Sequence, residues 1–148
     1  MNKIMFEYRY PRPAVTADCI VFSHDNGENY VLLIQRGKEP YKGQWAFPGG
    51  FMNMDETAAN AAIRELKEET GLIVNQVFQL GAYTEINRDP RGRIITIAYE
   101  TEINGKTDVQ GGDDAAIAKW FNINRPLPPL AFDHKQILND AIKCFLIK

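Results

Sequence analysis

Apolar runs and polar turns alternate along most of the chain, and the period of that alternation changes as it proceeds. From Ala14 to Ser23, β-branched and apolar residues dominate, which predicts a strand. His24-Asp25-Asn26-Gly27 is turn chemistry, with Asn-Gly suited to the positive φ of a tight hairpin. Tyr30–Gln35 returns as the partner strand, and its near-continuous apolar run predicts burial on both faces. A polar loop from Arg36 to Gln44 leads into Trp45-Ala46-Phe47-Pro48-Gly49-Gly50. The period is then helical from Asn53 to Thr70, with Asn53 as cap, Glu56 reaching back as in a capping box, and Gly71 as the left-handed stop. Further strands are expected within Val74–Ile86, Arg93–Ile103 and Ala116–Phe121, with a turn at Asn104-Gly105. Asp133 is placed to cap a last helix, in which Ile137, Ala141, Ile142 and Phe145 form an apolar stripe. The order predicts an α/β domain with a mixed sheet rather than repeated βαβ units.

No repeat, low-complexity tract or linker divides the 148 residues, so a single domain over 1–148 is expected. A chain of that length buries roughly 68–70% of its unfolded surface and needs no disulfide or metal staple. Seventeen Lys and Arg against nineteen Asp and Glu leave a net charge of −2. That argues against nucleic acid as the main ligand, because phosphate-backbone binding relies on a basic surplus. A small phosphorylated ligand needs only a few local cations. Cys19 and Cys144 cannot form a disulfide framework or a four-ligand zinc site, and both are expected to be buried and reduced. The first residues lack the apolar core of a signal peptide, and no run approaches ~18 apolar residues. The expectation is a cytoplasmic protein without a membrane span.

Candidate chemistry concentrates in the first helix. At ~100° per residue, Glu65, Glu68 and Glu69 fall within roughly 100° of one face. Leu66, Ala59 and Ile63 form an adjacent face expected to pack on the sheet, while Ala58, Ala61 and Ala62 lie on or beside the glutamate face. Glu65 and Glu69 are a like-charge pair one turn apart, which costs a few tenths of a kcal/mol. They also sit near the helix C-terminus, where the dipole disfavours anions. A bound hard cation reverses that sign, because carboxylate oxygens suit Mg²⁺ or Mn²⁺. The plain alternative is a solvated charged face with an Arg64–Glu68 ion pair. The Gly49-Gly50 turn leading into the helix favours a site, since glycine lets a backbone carbonyl approach a ligand closely.

Gly50 to Leu72 reads G-(five)-E-(seven)-R-E-L-K-E-E-T-G-L, which resembles the complete signature of the Nudix hydrolases. The resemblance implies an α/β/α sandwich with a mixed β-sheet between helices. It implies that Glu65, Glu68 and Glu69 hold one or more divalent metals, Mg²⁺ or Mn²⁺, with help from the Gly50 carbonyl. Arg64 would pair with Glu56 to brace the loop, and Glu56 is a further metal-ligand option. The implied reaction is hydrolysis of a diphosphate joined to another moiety. Glu65 is one option for the base; a downstream acid is the other.

Segments outside the signature, among them Gln35-Arg36-Gly37, Arg88–Arg93, Gly112–Ala115 and Leu130–His134, are similar to one branch of that family. The branch contains ADP-ribose pyrophosphatases and the sensing domains of related transcription regulators. It implies cleavage of a nucleoside diphosphate derivative, ADP-ribose to AMP and ribose 5-phosphate; other nucleotides, or sensing without cleavage, are the alternatives. Homodimers are common among such relatives, and the aromatic N-terminal arm offers an interface. From the residues themselves, Arg88, Arg91 and Arg93 in a Pro/Gly loop either hold phosphate oxygens or form a solvated basic loop. Arg36 is either a phosphate contact or a structural ion pair. Phe47, Phe51, Tyr83 and Phe132 are core aromatics that also qualify as stacking partners for a base. Asp113 and Asp114, after Gly111-Gly112, suit a mobile catalytic acid or a capped turn, with Glu85 and Glu100 as further acids. His134 reads as a helix-start residue ahead of a ligand contact.

Overall fold

Nine elements follow one another in a computed structural model that describes residues 4–112 and 115–147: β1 (Ala14–Asp25), β2 (Glu28–Arg36), β3 (Trp45–Ala46), β4 (Gly49–Phe51), α1 (Ala58–Thr70), β5 (Phe78–Tyr83), β6 (Ile94–Asn104), β7 (Ala115–Asn122) and α2 (His134–Ile147). The sheet order is β3-β2-β1-β6-β5, with β4 also paired to β1 and β7 to β2. The central β1–β6 pair is parallel, Ala14 facing Ile94 through to His24 facing Asn104. The other pairings are antiparallel, so the sheet is mixed as expected.

The hairpin between β1 and β2 turns at Asn26 and Gly27, both with positive φ (52° and 78°), the paired left-handed geometry of a tight two-residue loop. Alternation along β1 divides the core in two. Ala17, Cys19 and Val21 join Leu32 of β2 against Ala61, Ala62 and Leu66 of α1. Ile20 and Phe22 join Val31 and Leu33 of β2 against Ile137, Leu138 and Ala141 of α2. The helices therefore cover opposite faces, giving the α/β/α sandwich. The run Val31–Ile34 is buried throughout because both faces of β2 are covered. No described helix is long and apolar enough to cross a membrane.

Four local expectations need correction. The first helix begins at Ala58, not after Asn53, because Thr57 is its cap and accepts from the Asn60 amide at 3.1 Å. Glu56 does reach back to the Asn53 amide (2.9 Å), but within a turn that precedes the helix. Ala61 and Ala62 are fully buried while Ile63 is only half-buried, since the small side chains let α1 approach the sheet closely on their side. Asp133 gives its carboxylate to Arg88 rather than to the α2 N-terminus. Cys19 is buried, and burial, reinforced by the neighbouring Asp18 charge, pushes its thiol up to about 12. Cys144 is exposed: the neighbouring Phe145 takes the inward side of α2, stacking on Phe22 at 4.3 Å.

Candidate active site

A cleft of about 670 Å³ opens between α1, the β3–β4 turn and the loops that follow β2, β5 and β7. Its α1 wall carries Arg64, Glu65, Glu68 and Glu69. The stop at Gly71 (φ 78°), whose amide bonds the Lys67 carbonyl at 2.8 Å, fixes where the glutamate-bearing turn ends.

Arg64 organises this wall. Its Nε and Nη2 grip both oxygens of Glu56 (3.0 and 2.6 Å), and Nη2 also reaches the Phe51 carbonyl at 3.2 Å. Its Nη1 donates to Glu65 at 2.8 Å and to Glu68 at 3.1 Å. The bonds with Arg64 hold the Glu56 carboxyl below its ordinary range despite some desolvation. The same bonds push the guanidinium above its ordinary value. The brace between loop and helix and the Arg64–Glu68 pair thus coexist.

The β3–β4 turn meets the helix from the other side. The Gly49 amide donates to Glu69 Oε1 at 2.7 Å, and Glu69 is buried. A Cβ on Gly50 would lie 2.6 Å from the Glu65 carboxyl, so any larger residue there would push that carboxylate aside. Glu65 and Glu69 therefore approach the Gly49-Gly50 turn, and Glu68 lines the same wall of the cleft. Its donor chemistry fits Mg²⁺ or Mn²⁺. Among the described residues no three acidic, His or Cys side chains already converge as a finished metal site, and Arg64 occupies the position of counter-charge.

The opposite wall draws on four separate stretches of chain. Arg91 stands over the rings of Phe51 (5.0 Å) and Phe132 (5.4 Å), held by both carboxylate oxygens of Asp89 (3.0 and 2.7 Å). Burial raises the Asp89 carboxyl, but the bonds with Arg91 outweigh it and the net shift is downward. Arg36 donates to the Pro40 carbonyl at 2.7 Å and stands 5.0 Å from the Phe132 ring centre. Lys38 and Glu39 complete the rim.

Arg88, Asp18 and His134 line the cleft floor. The Arg88 side chain is 3% exposed and forks onto Asp133 at 2.9 and 2.7 Å. Burial opposes its charge, yet Asp133, Asp18 and Asp89 keep it above the ordinary value. Its geometry is that of a structural ion pair beneath the cleft. Arg93 lies off the lining, and its guanidinium reaches the Glu85 carbonyl at 3.3 Å. Phe47 is 2% exposed and stacks on the His134 ring at 4.9 Å, so it supports the floor as core. Tyr83 turns to Asp140 of α2, its hydroxyl bonding at 2.8 Å. Glu85 and Glu100 are not among the lining residues. Asp113 and Asp114 lie outside the described residues; just before them, the Gln110 amide bonds the Thr70 carbonyl at the end of α1 (3.1 Å).

Three cleft residues escaped sequence reasoning or were undervalued. Asp18 left one signal, an acid isolated in the apolar strand Ala14–Ser23. Asp89 left none beyond turn chemistry. His134 does begin α2, but its buried ring also enters the cleft floor.

Comparison with known proteins gives this geometry a context. The NUDIX domain family matches residues 12–141. The chain is 44% identical over 138 residues to an ADP-ribose pyrophosphatase of Methanocaldococcus jannaschii, covering 93% of this chain and 78% of that protein. It is 37% identical over 135 residues to the ADPR responsive transcriptional repressor NtrR of Acinetobacter baylyi, but spans only 54% of it. The NUDIX domain of Shewanella oneidensis NrtR, solved as a cocrystal with ADP ribose, superimposes with a TM-score of 0.85 at 29% identity, covering 92% of this chain and 90% of that one. With its helix of glutamates, its Arg64–Glu56 brace and its glycine turn, the chain belongs to the Nudix hydrolase family.

Proposed function

We propose that this protein is a Mg²⁺-dependent hydrolase that cleaves ADP-ribose to AMP and ribose 5-phosphate. One observation carries the reading: Glu65 and Glu69 meet the Gly49-Gly50 turn, with Glu68 on the same wall, in a cleft whose opposite wall presents Arg36, Lys38 and Arg91. An anionic diphosphate linker fits between these walls, and the Phe51 face beside Arg91 suits a base or ribose. Identity to the archaeal pyrophosphatase supports the substrate.

Glu65, Glu68 and Glu69, with the Gly50 carbonyl, would hold Mg²⁺ or Mn²⁺. The bound cation supplies charge neutralisation at the diphosphate oxygens and a more acidic water. Arg64 keeps Glu56 and Glu65 in register with the turn. Arg91, fixed by Asp89, orients an oxygen of the linker. Water adds to phosphorus as the bridging P–O bond breaks, and Glu65 takes the water proton; Asp113 and Asp114 are the alternatives. Arg88 acts by fixing Asp133 beneath the site, and Arg93 takes no part. The substrate is a small molecule, the acidic charge balance disfavours nucleic acid, and two unpaired cysteines suit the cytoplasm. Exposed Ile4, Met5, Phe6 and Tyr10 support a homodimer formed through the N-terminal arm, which sedimentation tests.

Chromatography of ADP-ribose incubated with the protein, with and without Mg²⁺ and beside a panel of nucleoside triphosphates, dinucleotides and sugar nucleotides, tests the reading. AMP released from ADP-ribose in preference to the panel supports it. Preferred cleavage of another panel member overturns the substrate. A second reading, a module that holds ADP-ribose without cutting it, is favoured by the likeness to the NtrR repressor and the NrtR cocrystal. Saturable binding with no cleavage across the panel selects it.

A further inference from the structure

The buried polar groups under the β3–β4 turn are not used by the reaction above, yet they hold both ends of that turn. At one end, the Phe47 amide donates to His134 Nδ1 at 3.1 Å, in a buried contact. A backbone N–H can only donate, so Nδ1 is an acceptor and the ring proton sits on Nε2. Nε2 in turn faces Asp18 Oδ2 at 3.6 Å. Thr96 fixes the same oxygen through its hydroxyl at 2.6 Å. At the other end, Gly49 lies in register with Asp18 on the β1–β4 ladder, and a Cβ there would collide with Asp18 Oδ1. Between them, the Pro48 carbonyl accepts from the Cys19 amide at 2.8 Å.

We propose that His134 and Asp18 form a positioning pair that sets the Phe47–Gly50 turn and, through it, the Glu65 and Glu69 carboxylates. The route is short. His134 anchors Phe47, Asp18 packs against Gly49, the Gly49 amide orients Glu69, and Gly50 leaves the space Glu65 fills. Neither residue needs to touch substrate. His134 opens α2 while Glu69 closes α1, so the pair also ties together the helices on the two faces of the sheet. Groups that orient the holders of a bound ion are commonly worth ~10–100-fold in its affinity. The inference rests on the proposed metal site on Glu65, Glu68 and Glu69.

His134→Leu removes the acceptor for Phe47. His134→Asn restores an acceptor near the Nδ1 position but nothing that faces Asp18. Calorimetric titration with Mn²⁺ alone, together with backbone amide spectra of Gly49 and Gly50, reads the site without turnover. The expectation for His134→Leu is shifted Gly49 and Gly50 amides, about tenfold weaker Mn²⁺ binding and a fall in kcat with KM for ADP-ribose little changed. His134→Asn recovers only the part of the loss that the Phe47 acceptor accounts for. If His134→Leu does not fold, Thr96→Val, which removes the hydroxyl fixing Asp18 Oδ2 and leaves only His134 facing it, is expected to give the same pattern at smaller amplitude. Folded variants with wild-type Mn²⁺ affinity and unshifted Gly49 and Gly50 amides overturn the inference. A wild-type protein that binds no Mn²⁺ sinks the metal site itself, which is a different failure.

Discussion

The two walls of the cleft were built in opposite ways. The α1 wall comes from one local span, Gly49 to Glu69, where helix geometry alone sets the spacing of Glu65, Glu68 and Glu69 and a single arginine gathers Glu56, Glu65 and Glu68. The facing wall and floor come from Asp18, Arg36, Arg88 to Arg91, Phe132 and His134, brought together by strand pairing over more than a hundred residues. Negative charge is concentrated on the first wall, where Arg64 pairs with Glu56, Glu65 and Glu68. On the second, most charges are already matched: Arg88 with Asp133, Arg91 with Asp89. On the proposed reading the first wall takes an ion, whereas the ion pairs of the second hold Arg91 and the cleft floor in place.

Changes to the carboxylates of the first wall should therefore damage chemistry and spare the fold, and breaking the buried Arg88–Asp133 pair of the second should cost mainly stability. The largest effect is expected for Glu69→Gln, which keeps an oxygen for the Gly49 amide and loses the charge. Steady-state assays should show a loss of roughly a hundredfold or more in kcat, with a thermal midpoint at or above wild type as the repulsion with Glu65 is relieved. Next is Arg88→Met, which strands Asp133 and removes a cation near Asp18. Breaking a buried pair costs about 3 kcal/mol, to be read from denaturant titration. Gly49→Ala comes third: its methyl meets Asp18 and lies 2.6 Å from the Ala17 carbonyl. Overpacking of that kind costs ~2 kcal/mol, and Mn²⁺ titration should show weakened binding as well, since this turn serves both walls. A folded Gly49→Ala protein of undiminished stability would show that the turn is looser than described.

Acid provides a gentler probe. Asp18 and Asp89 are depressed below their ordinary values in the fold: burial raises both, but His134 and Thr96 prevail at Asp18 and Arg91 at Asp89. The unfolded chain therefore takes up these protons first, so the stability they contribute is complete above the ordinary carboxylate range of about 4 and is lost as pH falls below it. Unfolding free energies measured between pH 6 and 3 should fall only toward the acid end (about 4 being the onset). The Asp89→Asn protein should show a shallower fall. The smallest effect belongs to Arg93→Ala, within about 0.5 kcal/mol of wild type and without change in KM for ADP-ribose. A KM that rises severalfold would return Arg93 to the cleft wall.

Legibility in the sequence follows the same division. Period and punctuation located every long strand and both helices, because alternation in β1 and β2 and the Asn26-Gly27 and Gly71 stops are local. The glutamate face of α1 was legible for the same reason, whereas Arg64 meeting Glu56 was expected from the resemblance to the Nudix signature. What failed was partnership between distant segments. Asp133 looked like a helix cap because a cap needs only its own neighbourhood, whereas its actual partner lies 45 residues away in Arg88. Phe47 and Tyr83 had no local feature separating a core ring from a pocket ring. Asp18 showed only as a polar residue in an apolar strand, and its meaning depends on Thr96, His134 and Gly49, each from a different element or turn.

The account turns on whether the carboxylates of α1 make cleavage of ADP-ribose depend on a divalent ion. Following AMP formation from ADP-ribose over a Mg²⁺ series, for wild type and Glu69→Gln side by side, asks this most directly. AMP from wild type is expected to rise with Mg²⁺ and vanish on its removal, with nearly none from the variant at any Mg²⁺ concentration. AMP release by Glu69→Gln at the wild-type rate, or by wild type without any divalent ion, would contradict it.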